Sequence, residues 1–299
     1  MIALCSPARV RPYSAGMIDR RRLLRSSLVL GSASLAAARL PLHAADDLSG
    51  HLKKAVIFSM FTEKDLSILD RFKILKDCGF EGVEVRINEK DERRAFREAV
   101  DKTGLVAHGV MNASEPDLEE AVSFASDIGA TSILYVGRYD RKRPLMESWR
   151  EAQETVRRGL PAAERHGVKI LIENVWAGFF FSPLDMERFV DEIDHPFFGA
   201  YYDIGNNARW GVPEHWFEIL GDRIGRLHIK EWDERKHLEE GLRAGFSSEI
   251  GDGTIDWAAV RAGIAAIDYR GWISAEVRGG DRTRMAEISE RMDRVLGLG

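Results

Sequence analysis

The sequence predicts an α/β protein built as a single (β/α)8 TIM barrel. Between residues 53 and 298, short apolar runs alternate with amphipathic helical stretches. Continuous apolar runs are typical of parallel strands that are buried on both faces. There are eight such runs, the number that closes a barrel. A doubly wound open sheet is the alternative, but no GxGxxG turn follows the first run. We therefore expect one barrel domain over residues 45–299.

The order of the elements also predicts which side of the barrel carries the chemistry. Pro161 is expected to bend or split the long helix before the fifth strand. The segment 233–254, after the seventh strand, is expected to be a long loop on the active face. The eight predicted strands are 54–60, 82–87, 105–111, 132–137, 168–174, 197–203, 226–232 and 272–278.

The first 44 residues differ from the rest and indicate an export signal. The stretch 19–25, "DRRRLLR", resembles the twin-arginine consensus, and a short run rich in Ala, Ser and Gly follows it. That run is too short and too weakly apolar to span a bilayer well. We expect a periplasmic protein that is cleaved after Ala44 or Ala45 and then has no stable membrane insertion. Met17 is a candidate for the true start. A basic disordered tail is the alternative interpretation.

The charge balance argues against a nucleic-acid partner. Cleavage after Ala44 would leave 36 Lys and Arg against 47 Asp and Glu, a net charge of −11. Nucleic-acid binding needs a basic surface, so none is expected here. Cys78 would then be the single cysteine of the mature chain, which leaves no intramolecular disulfide.

Four polar residues stand at the ends of consecutive predicted strands, the fifth to the eighth. They are Glu173, Asp203, His228 and Glu276. The carboxyl ends of barrel strands meet at one mouth, and converging carboxylates there would be costly without a counter-charge. Any one of these residues alone is more often a loop cap or a salt-bridge partner. Together they predict a site for one divalent metal ion, Mn²⁺ first, with Mg²⁺ or Co²⁺ also suited and Zn²⁺ less favoured.

Six further residues are candidates for contacts with a substrate at the same mouth. Trp176 belongs to an aromatic loop, "NVWAGFFFS", which suits either stacking on a substrate or a dimer contact. Ordinary barrel or salt-bridge roles are the alternatives for the other candidates. The six residues are Glu84, His108, Trp176, Asn206, Lys230 and Arg278.

Several motifs resemble those of the xylose isomerase-like barrel superfamily, which includes sugar-phosphate isomerases and epimerases. They are "LIEN", "YYDIGN", "LHIKEWD" and "SAEV", and "GDGTIDW" (251–257) resembles the approach to the eighth strand. The resemblance covers about residues 53–298 and is closest in style to L-ribulose-5-phosphate 3-epimerases. It implies that Glu173, Asp203, His228 and Glu276 bind the metal.

Two positions depart from the pattern of the D-tagatose 3-epimerase-like members of that superfamily. Those members carry a substrate-binding histidine three residues after the aspartate of the sixth strand, where this chain has Asn206. They also carry an arginine soon after the histidine of the seventh strand. Here Lys230 or Arg235 would have to replace it. The identity of the sugar therefore does not follow from the resemblance.

The resemblance implies a metal-dependent sugar isomerase or epimerase that works through an enediolate. Glu173 and Glu276 would exchange a proton with the carbon beside a carbonyl. We expect a non-phosphorylated sugar or glycoside as substrate, because an exported enzyme rarely meets sugar phosphates. A lyase that eliminates the aglycone from a 3-keto-glycoside is the main alternative. A sugar-binding protein without catalysis and an endonuclease IV-like enzyme are less favoured, and a homo-oligomer is left open.

Overall fold

A computed structural model describes residues 48–112, 117–175, 178 and 180–298. Within these ranges, eight parallel strands pair in chain order and close into a barrel, so the predicted fold is confirmed. The strand bounds are β1 Leu52–Ile57, β2 Gly82–Arg86, β3 Val106–Asn112, β4 Ser132–Tyr135, β5 Lys169–Glu173, β6 Phe198–Asp203, β7 Ile224–Ile229 and β8 Gly271–Ala275. The predicted leader, residues 1–44, lies outside the described residues.

The helices cover the outside of the barrel and follow the strands in the expected order. Apolar stripes of these helices pack on the apolar outer faces of the strands, which gives one contiguous core. The helix bounds are α1 Ile68–Asp77, α2 Arg93–Thr103, α3 Leu118–Ile128, α4 Leu145–His166, α5 Pro183–Ile193, α6 Pro213–Leu220, α7 Glu234–Glu240, α8 Leu242–Gly245, α9 Trp257–Ala266 and α10 Arg282–Leu296. None of the helices that the structure describes combines the length and the hydropathy needed to cross a membrane.

Two expectations about local structure need correction: α4 is not split at Pro161, and the segment 233–254 is not a plain loop. Helix α4 runs unbroken through Pro161, because buried residues on both sides of the proline, from Val156 to Ala163, continue one packed stripe. The segment 233–254 contains α7 and α8 instead of being a plain loop. Asp233 caps the start of α7, because its side chain accepts hydrogen bonds from the Arg235 and Lys236 amides.

Aromatic and polar side chains pack in a row inside the barrel, below its mouth. Near its lower end, the rings of Trp272 and His108 stack with centroids 4.8 Å apart. His108 Nε2 also lies 2.8 Å from Ser274 Oγ. Higher up, the ring of Tyr201 lies 4.4 Å from the ring of His228. This row of side chains extends from the packed interior to the carboxyl ends of the strands, where the functional groups of barrel enzymes lie.

Candidate metal centre

The structure brings the four predicted ligand residues together at the carboxyl ends of β5 to β8. Glu173 and Asp203 end β5 and β6, His228 is the penultimate residue of β7, and Glu276 follows β8 directly. Each offers one ligand atom, and these atoms all lie within 4.8 Å of one another. The cluster could therefore bind one metal ion with three carboxylate oxygens and one imidazole nitrogen.

The two ring nitrogens of His228 have different surroundings. Nε2 lies 2.7 Å from Glu84 Oε2, a hydrogen bond between two fully buried side chains. Nδ1 has no hydrogen bond. It faces three carboxylate oxygens, at 3.5 Å from Glu173, 3.6 Å from Glu276 and 3.8 Å from Asp203. A buried, unsatisfied nitrogen aimed at three carboxylates is what a metal ligand needs.

Asp203 is held in a similar way, with one oxygen fixed and the other directed at the cluster. Its Oδ1 accepts hydrogen bonds of 2.9 Å from the Gly205 and Asn206 amides. Its Oδ2 forms an ion pair with Lys230 Nζ at 2.8 Å but accepts no hydrogen bond. The donor set therefore fits a hard or intermediate divalent ion, such as Mn²⁺, Mg²⁺ or Co²⁺.

The ionisable groups of the cluster perturb one another strongly. Burial, aided by the charge of Glu276, raises the pKa of both Glu173 and Asp203. Burial also acts to raise the pKa of Glu276, but the charges of Lys230 and His228 outweigh it and hold the value at about 2. These opposed shifts show a compact site in which acidic side chains depend on nearby cations.

Glu84 and His228 form the charged pair beneath that cluster. Burial opposes ionisation of both groups, but the charge of each stabilises the charge of the other. As a result, the pKa of Glu84 is lowered and that of His228 is raised well above its ordinary value.

Lys230 supplies a cation at the edge of the cluster. Its Nζ lies 2.6 Å from Glu276 Oε2 and 2.8 Å from Asp203 Oδ2. The side chain is 14% exposed, so it retains some contact with solvent. Gly205 allows this placement, because a Cβ at that position would come within 2.4 Å of Lys230 Cγ. Gly205 is thus needed for close approach of the lysine.

Asn206 links the lysine to the glutamate of β5. Its side-chain oxygen accepts a hydrogen bond of 3.1 Å from Lys230 Nζ, and its Nδ2 donates one of 3.2 Å to Glu173 Oε1. The residue is 2% exposed. This placement favours a role in orienting Glu173 and Lys230 over the direct substrate contact that the sequence suggested.

Glu84 and His108 lie deeper in the barrel than a substrate contact requires. Both are buried, Glu84 beneath His228 and His108 between Trp272 and Ser274. Burial lowers the pKa of His108 to about 3, so its imidazole is neutral. We therefore interpret Glu84 as the partner that orients His228, and His108 as a hydrogen-bonded barrel histidine, the alternative that the sequence left open.

One of the remaining two candidates has no contact with the cluster among the described residues. Arg278 is exposed in the loop after β8, and the described residues give its side chain no ion pair. Trp176 lies outside the described residues.

Two asparagines that the sequence analysis did not assign hold Asp203 from behind. Asn174 Oδ1 accepts a hydrogen bond of 2.6 Å from the Asp203 amide, and its Nδ2 donates to the Asp203 carbonyl at 2.9 Å. The same Nδ2 donates to Asn207 Oδ1 at 2.9 Å, and Asn207 Nδ2 donates to the Phe180 carbonyl at 3.0 Å. The signal was present in "IEN" and "GNN", because buried amides directly after ligand residues usually serve them.

Comparison with known proteins agrees with this geometry. The family model described as "Xylose isomerase-like TIM barrel" matches residues 72–295. The proposed L-ribulose-5-phosphate 3-epimerase SgbU of Escherichia coli (strain K12) is 24% identical over an alignment of 248 residues, and the match covers 72% of this chain and 85% of SgbU.

Two solved structures have a similar fold. The 3-keto-D-glucoside 4-epimerase YcjR from E. coli superposes with a TM-score of 0.67 at 17% identity and covers 82% of this chain and 98% of its own. The probable 3-DHS dehydratase AsbF from Bacillus anthracis has a TM-score of 0.67 at 16% identity and covers 80% and 97%. At these identities the likeness concerns the fold, a scaffold that epimerases share with a dehydratase.

Proposed function

The chain belongs to the xylose isomerase-like TIM barrel family, and from this premise we propose that it is a divalent-metal-dependent sugar epimerase or isomerase. One observation carries the proposal. Glu173, at the end of β5, and Glu276, just after β8, belong to one cluster whose candidate ligand atoms all lie within 4.8 Å of one another. Two carboxylates that reach one site from separate strands can serve the two faces of a substrate carbon. That arrangement supports removal and return of a proton beside a carbonyl.

The proposed reaction divides between the metal and the protein side chains. A bound divalent ion would supply Lewis acidity toward the carbonyl and hydroxyl oxygens of the sugar. One of Glu173 and Glu276 takes the proton from the carbon beside the carbonyl, and the electron pair moves toward the carbonyl oxygen to give an enediolate. The other glutamate delivers a proton to the opposite face, which inverts that carbon. In an isomerase, a single glutamate can carry the proton between neighbouring carbons.

Lys230 is proposed to assist by stabilising negative charge on the substrate. Its ammonium group donates hydrogen bonds to Glu276 and Asn206 and so lies directly beside the candidate ligand atoms. A preorganised cation beside a developing oxyanion lowers the activation free energy of an enzymatic reaction, because it stabilises the negative charge of the transition state. Lys230→Met should therefore reduce kcat about 100-fold while the KM for substrate changes less.

Mn²⁺ is our first choice of metal, because three carboxylate oxygens with one imidazole suit it.

We also propose an exported, periplasmic protein that acts on a non-phosphorylated sugar. The support is the twin-arginine-like stretch at 19–25. A substrate of this kind agrees with the name of one structural neighbour, a 3-keto-D-glucoside epimerase.

A lyase is the second candidate, and one structural neighbour favours it. AsbF, which has a similar fold, is named as a probable dehydratase, an enzyme that eliminates water. Loss of a proton beside a carbonyl begins both epimerisation and such an elimination. A 3-keto-glycoside could therefore lose its aglycone after the same first step on the same two glutamates.

Metal analysis of the purified protein tests the central claim. We expect about one divalent ion per wild-type chain and strongly reduced content in Asp203→Ala, because that change removes a ligand. Products from ketohexoses and from 3-keto-glycosides would then separate an epimerase from a lyase. Glu276→Gln should retain sugar binding and lose turnover. Wild-type protein without a stoichiometric ion, or without turnover of either substrate class, contradicts the proposal.

A further inference from the structure

Two large aromatic side chains are exposed in the loops after β5 and β6, the strands that end in Glu173 and Asp203. Phe181, between β5 and α5, is 52% exposed, and Trp210, between β6 and α6, is 50% exposed. Their rings lie 6.4 Å apart at 73°, an edge-to-face pair. We call these two residues the aromatic ledge. Leu184 and Val212, a few residues along the chain from these two aromatic residues, are also exposed. Exposed aromatic groups clustered in this way are typical of a binding surface.

The aromatic ledge is fixed to the metal centre through one buried residue, Asn207. Asn207 Nδ2 donates to the carbonyl of Phe180, the neighbour of Phe181. The carbonyl of Asn207 accepts a hydrogen bond of 2.9 Å from the Trp210 amide. The adjacent residue, Asn206, donates directly to Glu173. The two loops that carry the ledge are therefore bound to the same framework as the metal ligands.

Trp210 is also held from one side. The guanidinium carbon of Arg209 lies 3.8 Å from the centroid of the Trp210 ring, a cation–π contact. A tryptophan that is already oriented loses little entropy when a flat or apolar group stacks against it. The surface thus offers a preorganised apolar platform next to a centre whose own walls are carboxylates, amides and a lysine.

These two surfaces suit two different parts of one ligand. The polar centre suits a carbonyl and hydroxyl groups, whereas the aromatic ledge suits a group without hydrogen-bonding needs. We infer that the substrate is a glycoside with an apolar or aromatic aglycone, and that this aglycone stacks on Phe181 and Trp210 while the sugar lies at the metal centre. The inference rests on the proposed function, because it assumes a sugar at that centre.

Binding without turnover tests the inference directly. The probes are phenyl β-D-glucoside and methyl β-D-glucoside, which contain no carbonyl and so cannot enter the proposed reaction. Isothermal titration of the Mn²⁺-loaded full-length chain should show that the phenyl glucoside binds about tenfold tighter, as expected for one aromatic contact. The preference should fall to about twofold or less in Trp210→Ala and in Phe181→Ala, and should persist in Trp210→Phe.

A matched control removes an apolar side chain elsewhere. Leu238 on α7 is 74% exposed, so Leu238→Ala should keep the full preference for the phenyl glucoside. Equal binding of the two glucosides, binding of neither, or an unchanged preference in the Phe181→Ala, Trp210→Ala double variant would overturn the inference. A dimer that dissociates in Trp210→Ala, without a phenyl preference, would also overturn it and assign the ledge to a second copy of the chain.

The outcome is separable from that of the proposed function. Turnover of free ketohexoses without any phenyl preference would overturn the ledge inference and leave the proposed function standing. A phenyl preference that depends on Trp210, in a protein that turns over no keto sugar, would support the ledge and contradict the proposed enzyme.

Discussion

Glu84 Oε2 lies 2.7 Å from His228 Nε2, and both side chains are completely buried. This one hydrogen bond decides which ring nitrogen of His228 faces the carboxylates. Because Nε2 is hydrogen-bonded to Glu84, Nδ1 is the nitrogen that faces Glu173, Asp203 and Glu276, and it becomes a metal ligand when an ion displaces its proton. A carboxylate behind a ligating histidine also makes the imidazole a stronger electron donor.

Glu84→Gln is therefore expected to weaken metal binding about 10- to 100-fold. The glutamine oxygen can still accept the hydrogen bond from Nε2, but the negative charge is lost. Glu84→Leu removes both and should be weaker again. Titration of metal-free protein with Mn²⁺, followed by electron paramagnetic resonance of the free ion, measures the Mn²⁺ affinities of the wild type and of both variants.

The control for that series is Glu98→Gln, a change of the same kind at an exposed position on α2. It should bind Mn²⁺ as the wild type does. Wild-type affinity in Glu84→Gln would contradict the role that we assign to the buried carboxylate.

Asn174→Ala should destabilise the protein and also weaken metal binding. Asn174 satisfies both the amide and the carbonyl of Asp203, and these buried groups would lose their partner. We expect a loss of about 2–4 kcal/mol in the free energy of unfolding, measured by urea denaturation without metal. Asn207→Ala is the comparison, because it leaves both contacts of Asn174 with the Asp203 backbone intact. If the two variants lost metal affinity equally, Asn174 would not be positioning Asp203.

The sequence sufficed for the barrel and for the convergence of the four candidate ligand residues. Continuous apolar runs locate the strands, and the closing of eight strands brings their carboxyl ends together. The convergence of these four residues therefore follows from the pattern alone: Glu173, Asp203, His228 and Glu276. The depth of Glu84 does not follow. It depends on the register of β2 against β3, which shifts between Val83 and Glu84. A single sequence does not reveal such a shift, and a residue in the barrel therefore looked like one at its mouth.

Helix α7 was missed for a different reason. Its sequence, "ERKHLEE", has no apolar stripe and no buried residue, so hydrophobic periodicity gives no signal there. The helix forms because Asp233 caps its first turn and because Trp232 is anchored beside it, with Nε1 donating to Glu234 at 2.9 Å. Side-chain contacts of this kind become visible only when the chain has folded.

Glu231→Gln should loosen the segment between α8 and α9. The buried Glu231 carboxylate accepts hydrogen bonds from the Gly251 amide at 2.7 Å, the Ile255 amide at 3.3 Å and Trp257 Nε1 at 2.9 Å. A glutamine would turn an NH₂ group toward some of these donors, so hydrogen bonds would be lost and donors left unpaired. We expect faster hydrogen exchange at the Gly251 and Ile255 amides. Glu240→Gln, at an exposed position on α7, should leave the exchange unchanged. Unaltered exchange in Glu231→Gln would show that the carboxylate does not hold this segment.

His108 should make the protein less stable as the pH falls below neutrality. Burial lowers its pKa to about 3 in the folded chain, against 6.5 for an exposed histidine. Between these values the unfolded chain binds one more proton than the folded chain, so stability from this group is present at high pH and is lost as the pH falls through 6.5. From pH 7 to pH 5 the loss should be about 2 kcal/mol.

Comparison of the wild type with His108→Gln isolates this effect, because the carboxylates that also titrate are common to both chains. Urea unfolding at pH 7, 6 and 5 with EDTA present measures the stability difference without a contribution from metal binding. The variant loses the ring stacking on Trp272 at every pH, which adds a constant offset. The advantage of the wild type should therefore shrink by about 2 kcal/mol between pH 7 and pH 5. A constant difference would mean that folded His108 takes up a proton in this range, which would require the carboxylate of Glu84 to stabilise the imidazolium.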